Sequence, residues 1–306
     1  MILRNNYSRS WKLSVSIFRL PLVMVHMKCK AIKMNSTIYQ MPHSQLDSPP
    51  ILVLHGLAHS QSIWRRPARH IMKQGSRWLI VADARNHGES PHCANHKPAD
   101  MAADVEALIE EKKLKRIVAL GHDMGGRAMM TLALTRPYLV ERVIVVDITP
   151  GPLPPEVVNA SRMFEFMVKV LPTIPKNLSL VQGRKFILPQ IRKFIKNEAQ
   201  LMMVIKNLSI ADNGTFFWAV NAQAIYNDWE DLMVNYKQTI KGLQPYQGDT
   251  LLIAGQKTNF VTPQNVEIMK KYFPKLHVEY LNANHKVHVD QPQQFVQLVV
   301  DFTMGT

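Results

Sequence analysis

The sequence feature that most constrains the fold is the Gly-His-Asp-Met-Gly segment at residues 121–125, which follows an apolar run at 117–120. The run is typical of a short buried strand, and a helical stretch follows the segment. A sharp glycine-bounded turn between a strand and a helix pushes its central side chain out at the end of the sheet. Gly121 and Gly125 leave room for the strained backbone. The pattern predicts a nucleophile elbow in which Asp123 stands where serine is usual.

The carboxylate of Asp123 limits the chemistry that such an elbow could perform. Serine attacks acyl carbon, whereas a carboxylate attacking an ester would form an anhydride, which is a poor intermediate. Attack at the sp3 carbon of an epoxide or alkyl halide would instead form an ordinary ester that water can hydrolyse. A carboxylate is already ionised at neutral pH, and the N-terminus of the next helix favours the anion. The alternative is an inactive relative, because aspartate tolerates a left-handed backbone and would keep the fold.

Strands alternate with helices along the chain. Predicted strands cover 51–54, 78–82, 117–120, 143–147, 251–254 and 277–281, and predicted helices cover 61–74, 99–112, the stretch from the elbow to 136, and 292–303. This order predicts a mostly parallel, doubly wound α/β sheet, and with the elbow it predicts an α/β-hydrolase fold.

A helical insertion is predicted to interrupt the sheet. Four prolines between 150 and 155 mark a linker, and residues 156–235 look helical, with no clear strand alternation. We expect a core of residues 47–150 and 236–306 with a helical cap at 151–235. The cap would lie over the carboxyl edge of the sheet, where ligands bind in open α/β folds.

The N-terminal segment 1–46 differs in composition from the rest of the chain. It contains no Asp or Glu, and its seven Lys and Arg account for half of the net charge of +14. Basic residues, serines and apolar residues without acids are typical of a mitochondrial transit segment. The pattern therefore predicts a mitochondrial location, in the matrix. The other interpretation is a basic tail.

Several functional classes find no support in the sequence. No run of about 18 apolar residues exists, so no transmembrane helix is expected. Cys29 and Cys93 lack metal-ligand spacing, and the glycines form no phosphate-binding motif, so neither a metal nor a nucleotide cofactor is predicted. The basic charge comes without a nucleic-acid-binding motif, so no nucleic-acid partner is expected.

A histidine that activates water is expected late in this fold, after the last strand. Residues 282–285 (Asn-Ala-Asn-His) follow the strand predicted at 277–281, so His285 is the predicted base. His288, three residues later, is the alternative.

The acid that orients this histidine has two usual positions. The loop after the penultimate strand, 255–259, contains no carboxylate, whereas Asp147 ends the strand that follows the elbow helix. Asp147 is therefore the predicted acid, and Asp228 in the cap is a more distant candidate. The oxyanion hole is predicted to use the backbone N–H groups of Leu57 and Met124.

Several segments carry a resemblance to a known family. They are 55–57 (His-Gly-Leu), 83–92, the elbow, 146–150 (Val-Asp-Ile-Thr-Pro), 217–221 (Phe-Trp-Ala-Val-Asn), 282–285 and 290–293 (Asp-Gln-Pro-Gln). Over roughly residues 50–304 the chain resembles the abhydrolase-domain-containing protein 11 family. That resemblance implies a serine triad, hydrolysis of esters and acylglycerol-like lipids, a small lipophilic substrate, and a mitochondrial location in animals.

The chain also departs from the pattern of that family. The family has serine where this chain has Asp123, an acidic residue is expected in relatives where Gln223 stands, and glycine commonly replaces Asn284. The Gly-His-Asp-x-Gly-Gly elbow itself resembles epoxide hydrolases and haloalkane dehalogenases. However, Ala58 stands where epoxide hydrolases have proline.

Three hypotheses follow from the residues and the resemblance. In the first, the protein is a hydrolase whose Asp123 attacks sp3 carbon, as in an epoxide hydrolase, and whose His285 and Asp147 then activate water. In the second, it hydrolyses esters and Asp123 is a base for direct attack by water. In the third, it is a catalytically impaired homologue that binds a lipid-like ligand or a protein partner through the cap groove.

Overall fold

The computed structural model describes residues 31–305 apart from 43, 159, 194, 196 and 197. The strands are β1 (Ser36–Tyr39), β2 (Ile51–Leu54), β3 (Leu79–Ala82), β4 (Ile117–His122), β5 (Val140–Val146), β6 (Leu208–Ile210), β7 (Phe216–Trp218), β8 (Thr250–Gly255) and β9 (Leu276–Leu281). The α-helices are α1 (Arg65–Gln74), α2 (Pro98–Glu111), α3 (Met124–Thr135), α4 (Pro155–Val158), α5 (Ser161–Val170), α6 (Leu180–Ile191), α7 (Glu198–Asn207), α8 (Ala222–Asn227), α9 (Tyr236–Thr239), α10 (Pro263–Lys270), α11 (Val287–Asp290) and α12 (Pro292–Met304). Short 3₁₀-helices cover Gln61–Trp64, Pro137–Leu139 and Leu171–Thr173, and a π-helix covers Glu230–Val234.

The main sheet has seven strands in the order β1-β3-β2-β4-β5-β8-β9. Only β1 is antiparallel to its neighbour, and every other pairing in this sheet is parallel. Strands β2 and β3 are continuous apolar runs, β4 is apolar over residues 117–120, and all residues of the three strands are buried. Such runs form in parallel sheets because helices cover both faces. The predicted mostly parallel α/β sheet is confirmed.

Helices cover the two faces of the sheet. On one face α1 packs against α12, and Ile71 and Phe295 are buried there beside Trp64. On the other face α2 packs against α3, which buries Val105 and Met129. In the part of the chain that the structure describes, none of the helices is both long enough and apolar enough to span a bilayer.

The register of the parallel strands brings several loops to one edge of the sheet. His122 at the end of β4 pairs with Val146 at the end of β5, and Val146 pairs with Ile253 of β8. Gly255 at the end of β8 pairs with Leu281 at the end of β9. The residues that follow these four strands therefore meet at the carboxyl edge.

The described residues include part of the predicted transit segment 1–46. Strand β1 lies within the segment 1–46 and pairs with β3 along its whole length. The backbone N–H of Ile32 also donates to Asp104 at 2.8 Å. These contacts join residues 32 and 36–39 to the folded domain, and the boundary at residue 46 stays a prediction. Residues 1–30, the remainder of the predicted transit segment, lie outside the described residues.

The insertion between β5 and β8 carries helices α4 to α9, and it also contains a feature that the sequence analysis missed. Strands β6 and β7 pair as an antiparallel ribbon inside the segment predicted to be helical. Strands of three residues are too short to show a period-2 pattern. The insertion is tied to the core by Arg127 of α3, whose guanidinium donates to the carbonyls of Leu232 and Met233 at 2.7 and 2.9 Å. The residue bounds of cap and core remain predictions.

Candidate active site

Asp123 lies in the turn between β4 and α3, with φ 50° and ψ −120°. Residues other than glycine rarely take a positive φ, so the turn holds backbone strain. Glycine is required on both sides. A Cβ on Gly121 would collide with the carbonyl of Gly125, and a Cβ on Gly125 would collide with the carbonyls of Leu54 and His55. The tight turn brings the Asp123 side chain to the carboxyl edge of the sheet.

The two oxygens of the Asp123 carboxylate have different surroundings. Oδ2 accepts a hydrogen bond from the backbone N–H of Leu57 at 3.0 Å. Oδ1 is buried and has no hydrogen-bond partner among the described residues. It lies 3.8 Å from Nε2 of His285, which is too far for a hydrogen bond. Oδ2 is therefore held by a hydrogen bond, whereas Oδ1 accepts none from the described residues and faces the imidazole of His285.

His285 is oriented by Asp147. Nδ1 of His285 donates to Oδ2 of Asp147 at 2.8 Å, which directs Nε2 towards Asp123. Asp147 follows the last residue of β5 and is completely buried, with φ 49°. The structure thus brings together Asp123, His285 and Asp147, the three side chains predicted for the site. Their catalytic roles remain a proposal.

The loop after β8 supports Asp147 in a way that the sequence analysis missed. This loop lacks a carboxylate, but the backbone N–H of Gly255 donates to Oδ1 of Asp147 at 2.8 Å. The hydroxyl of Thr258 lies 3.1 Å from both carboxylate oxygens and donates to them. These donors compensate the burial of the charge. The presence of Thr258 in this carboxylate-free loop is the sequence signal that could have predicted a hydrogen-bond donor to Asp147.

The charge state of His285 follows from these contacts. Burial opposes protonation of the ring, but the hydrogen bond to Asp147 and the negative charges of Asp123 and Asp147 outweigh it. The pKa of His285 is therefore raised above its ordinary value of 6.5. The imidazole is able to hold a proton near neutral pH and to release it in a later step.

The alternative candidates lie outside this cluster. The His288 ring is buried and stacks on Trp64 with ring centroids 4.2 Å apart, and burial lowers its pKa to about 3. Asp228 accepts a hydrogen bond of 2.6 Å from the backbone N–H of His96, so it orders a loop. Gln223 is exposed and donates to the side chain of Asn227 at 2.8 Å.

The loop that carries Leu57 is held from two sides. The backbone N–H of Ala58, a residue with φ 57°, donates to Nε2 of His87 at 3.0 Å. The side-chain amide of Asn207, at the end of α7, donates to the carbonyl of Ala58 at 3.2 Å. Met124, the other predicted oxyanion donor, is the first residue of α3, so its N–H is among those without a partner inside the helix.

Two aromatic side chains near His285 were not singled out in the sequence. The Phe260 ring stacks on the imidazole with centroids 4.0 Å apart. Nε2 of His122 lies 2.9 Å from the carbonyl oxygen of His285 and donates to it. Burial holds the pKa of His122 well below its ordinary value, so this ring is neutral. Both contacts fix the position of the His285 loop relative to the elbow.

Comparison with known proteins adds to this geometry. The model of the family described as "Alpha/beta hydrolase family" matches residues 51–298. The chain is 32% identical over 266 residues to "sn-1-specific diacylglycerol lipase ABHD11" of Mus musculus, which covers 86% of this chain and 84% of the relative. The corresponding protein of Danio rerio is 31% identical over 261 residues, 84% of this chain and 78% of the relative. Among solved structures, a "Marine microorganism esterase" superimposes with a TM-score of 0.75 at 25% identity, covering 89% of this chain and 100% of the other.

Proposed function

The chain belongs to the alpha/beta hydrolase family and, within it, to the ABHD11 family, and we propose that it hydrolyses a small lipophilic substrate at sp3 carbon, as an epoxide hydrolase does. The observation that carries the proposal is the asymmetry of the Asp123 carboxylate. Leu57 anchors Oδ2, while Oδ1 is unoccupied and faces His285. A nucleophilic carboxylate needs one free oxygen in a fixed position.

The same asymmetry disfavours attack on a carboxylic ester. An oxyanion hole stabilises the oxygen of a substrate carbonyl with backbone N–H donors. Here the Leu57 N–H already binds the enzyme's own carboxylate. In a covalent mechanism this donor has a use in the second step, because the negative oxygen of the tetrahedral intermediate would then be Oδ2 of Asp123 itself.

In the first step, Oδ1 of Asp123 forms a bond to a carbon of the epoxide, and the bond between that carbon and the ring oxygen breaks. The ring oxygen takes a proton from Nε2 of protonated His285 and becomes a hydroxyl. The raised pKa of His285 supports this role, because it favours the protonated imidazole. The product of this step is an alkyl ester on Asp123 and a neutral imidazole.

In the second step, neutral His285 removes a proton from water, and the oxygen of that water attacks the carboxyl carbon of the ester. The bond from this carbon to the alkyl oxygen then breaks, and the alkyl oxygen takes the remaining proton of the added water, which releases the diol and restores the Asp123 carboxylate with His285 protonated. Asp147 keeps Nδ1 of the ring protonated, so Nε2 is the nitrogen that accepts the proton.

An oxygen-label experiment tests the proposal. Wild-type protein in excess over a terminal epoxide reacts in H₂¹⁸O, and the digest and the diol are analysed by mass spectrometry. Covalent attack places the label in the Asp123 peptide and leaves the first diol unlabelled. The Asp147 peptide is the internal control. Label in the first diol, with none in Asp123, would contradict the covalent route.

Ester hydrolysis is the second candidate, and it is favoured by the relatives, which are named sn-1-specific diacylglycerol lipase ABHD11. In that case Asp123 would act as a base, and water would attack the ester carbonyl directly. Repeating the label experiment with a nitrophenyl ester separates the two routes, because the acid product would then carry the label and Asp123 would not.

The third candidate is a catalytically impaired homologue that binds a lipid-like ligand or a protein partner. The replacement of the usual elbow serine by Asp123 is the observation behind it. The intact contacts of His285 and Asp147 argue against it. Absence of turnover with epoxides, esters and acylglycerols would favour this role.

A further inference from the structure

Helix α1 presents a row of basic side chains to solvent. Arg65, Arg66, Arg69, His70 and Lys73 are all exposed. Their spacing places them along one side of a helix, since residues three or four apart share a face. The opposite side of the helix, with Pro67, Ala68 and Ile71, is buried. The helix contains no acidic residue. We define these five side chains as the α1 basic face.

The basic side chains of this face have no acidic partner within the described part of the chain. Within the described residues, no ion pair and no side-chain hydrogen bond is formed by Arg65, Arg66, Arg69 or Lys73. Several arginines elsewhere form ion pairs with acidic side chains. Arg77 binds Glu141 at 2.7 Å, and the buried Arg85 binds Asp104 at 2.6 Å. The positive charge of α1 is thus not compensated by the fold.

The position of two of these charges on the helix is also electrostatically unfavourable. Arg65 and Arg66 occupy the first turn, where the helix dipole disfavours cations and favours anions. A groove of about 470 Å³ runs between the basic side chains and is also lined by Ser62 and Ile63. An external anion in this groove would relieve both the mutual repulsion of the cations and the unfavourable dipole.

We propose that the α1 basic face binds the phosphate groups of an anionic lipid bilayer and holds the protein at the membrane surface. Arginine forks match phosphate oxygens, and a row of cations on one helix face is suited to a charged surface. Ten residues of helix extend about 15 Å, which is longer than a single phosphate. The proposal goes beyond the hydrolase activity and does not depend on it.

The position of α1 in the chain relates membrane binding to the active site. The helix follows the loop that carries Leu57, with only the 3₁₀-helix Gln61–Trp64 as an intervening element. Membrane contact through α1 brings the enzyme to the phase in which lipophilic molecules dissolve. The contact requires no spanning helix, because a basic face binds anionic headgroups from the side.

Vesicle sedimentation of the full chain tests the proposal. The probes are vesicles of phosphatidylcholine alone and of phosphatidylcholine with phosphatidylglycerol. The test variant carries Arg66→Gln, Arg69→Gln and Lys73→Gln. The matched control carries Lys185→Gln, Lys241→Gln and Lys275→Gln, three exposed lysines outside α1. Both variants lose three positive charges, from two arginines and one lysine on α1 and from three lysines in the control.

We expect wild type to bind the anionic vesicles and not the neutral ones, and to release as salt is raised. Partitioning of the α1 variant should fall by roughly a hundredfold, about fivefold for each removed charge, while the control stays within about threefold of wild type. Circular dichroism confirms that both variants are folded. Equal losses in the two variants would overturn the proposal. So would binding by wild type to a single-stranded oligonucleotide or to inorganic phosphate without binding to the vesicles.

Discussion

The backbone N–H of Leu57 donates a hydrogen bond of 3.0 Å to Oδ2 of Asp123. The two residues belong to different loops, after β2 and after β4, and parallel pairing of these strands brings the loops together. The donor that would stabilise a substrate oxyanion in acyl transfer therefore holds the carboxylate of the protein. This contact is why we propose attack at sp3 carbon, rather than acyl transfer, for the elbow.

Replacing the carboxylate by a hydroxyl should change the class of substrate. In Asp123→Ser the Leu57 N–H is released for a substrate carbonyl, and His285 becomes the base for the hydroxyl. We expect loss of epoxide opening by at least about 10³-fold and a gain of nitrophenyl ester hydrolysis. Initial rates on the two panels measure this, with Asp123→Ala as the control that lacks either nucleophile. Epoxide opening that persists in the alanine variant would remove Asp123 from the mechanism.

Loss of the imidazole should trap the covalent intermediate. In His285→Gln the carboxylate still attacks an activated alkyl substrate, such as an alkyl halide whose leaving group needs no proton. Water is not activated, so the ester on Asp123 accumulates. We expect a stoichiometric mass increase of the intact protein, located in the Asp123 peptide. The double variant with Asp123→Asn should show no increase; an equal adduct there would assign the reaction to another side chain.

The charge of Asp147 should control the pH dependence of ester breakdown. Asp147→Asn removes the negative charge and weakens the hydrogen bond that raises the pKa of His285, while burial of the ring still lowers it. The pKa of His285 should fall, so the rise of the breakdown rate with pH should move to lower pH. The maximal rate should fall by roughly 10³ to 10⁴-fold.

Rapid-quench measurement of the breakdown of the Asp123 ester across pH checks this prediction. Asp228→Asn is the matched control, because Asp228 binds the backbone of His96 and not His285. If the Asp228 variant moved the profile and the Asp147 variant did not, the orienting acid would be the cap residue.

His288 should be replaceable by phenylalanine with a gain in stability. Its ring stacks on Trp64, and neither ring nitrogen has a hydrogen-bond partner among the described residues. Phenylalanine keeps the stacking and removes the buried polar atoms, so His288→Phe should raise the free energy of unfolding by about 1–3 kcal/mol at neutral pH. Urea denaturation measures the change.

The gain should grow in acid. Burial lowers the pKa of His288 in the folded protein to about 3, against 6.5 for the free side chain. Below pH 6.5 the unfolded state binds more protons, so wild type loses stability as the pH falls, by about 1.4 kcal/mol per pH unit from this group. The phenylalanine variant lacks this loss. A folded variant without activity would show instead that His288 takes part in the reaction.

Local patterns in the sequence were enough to predict six of the seven strands of the main sheet. The apolar runs at 51–54 and 117–120 became β2 and β4, and the glycines around Asp123 predicted a sharp turn. The ribbon of β6 and β7 and the edge strand β1 were missed. These strands have three or four residues and show no diagnostic periodicity, so their pairing depends on neighbours that are distant in the chain.

The sequence by itself determined the order of strands and helices, the elbow with its aspartate, and the candidates Asp147 and His285, because these follow from local periodicity and from the positions of loops after strands. Only the tertiary structure decided between His285 and His288 as the side chain beside Asp123, and only it revealed Thr258 and Leu57 as donors to the two carboxylates. Such contacts join residues that are 66 to 138 positions apart. Strand order and register, rather than nearby sequence, bring those residues within hydrogen-bonding distance.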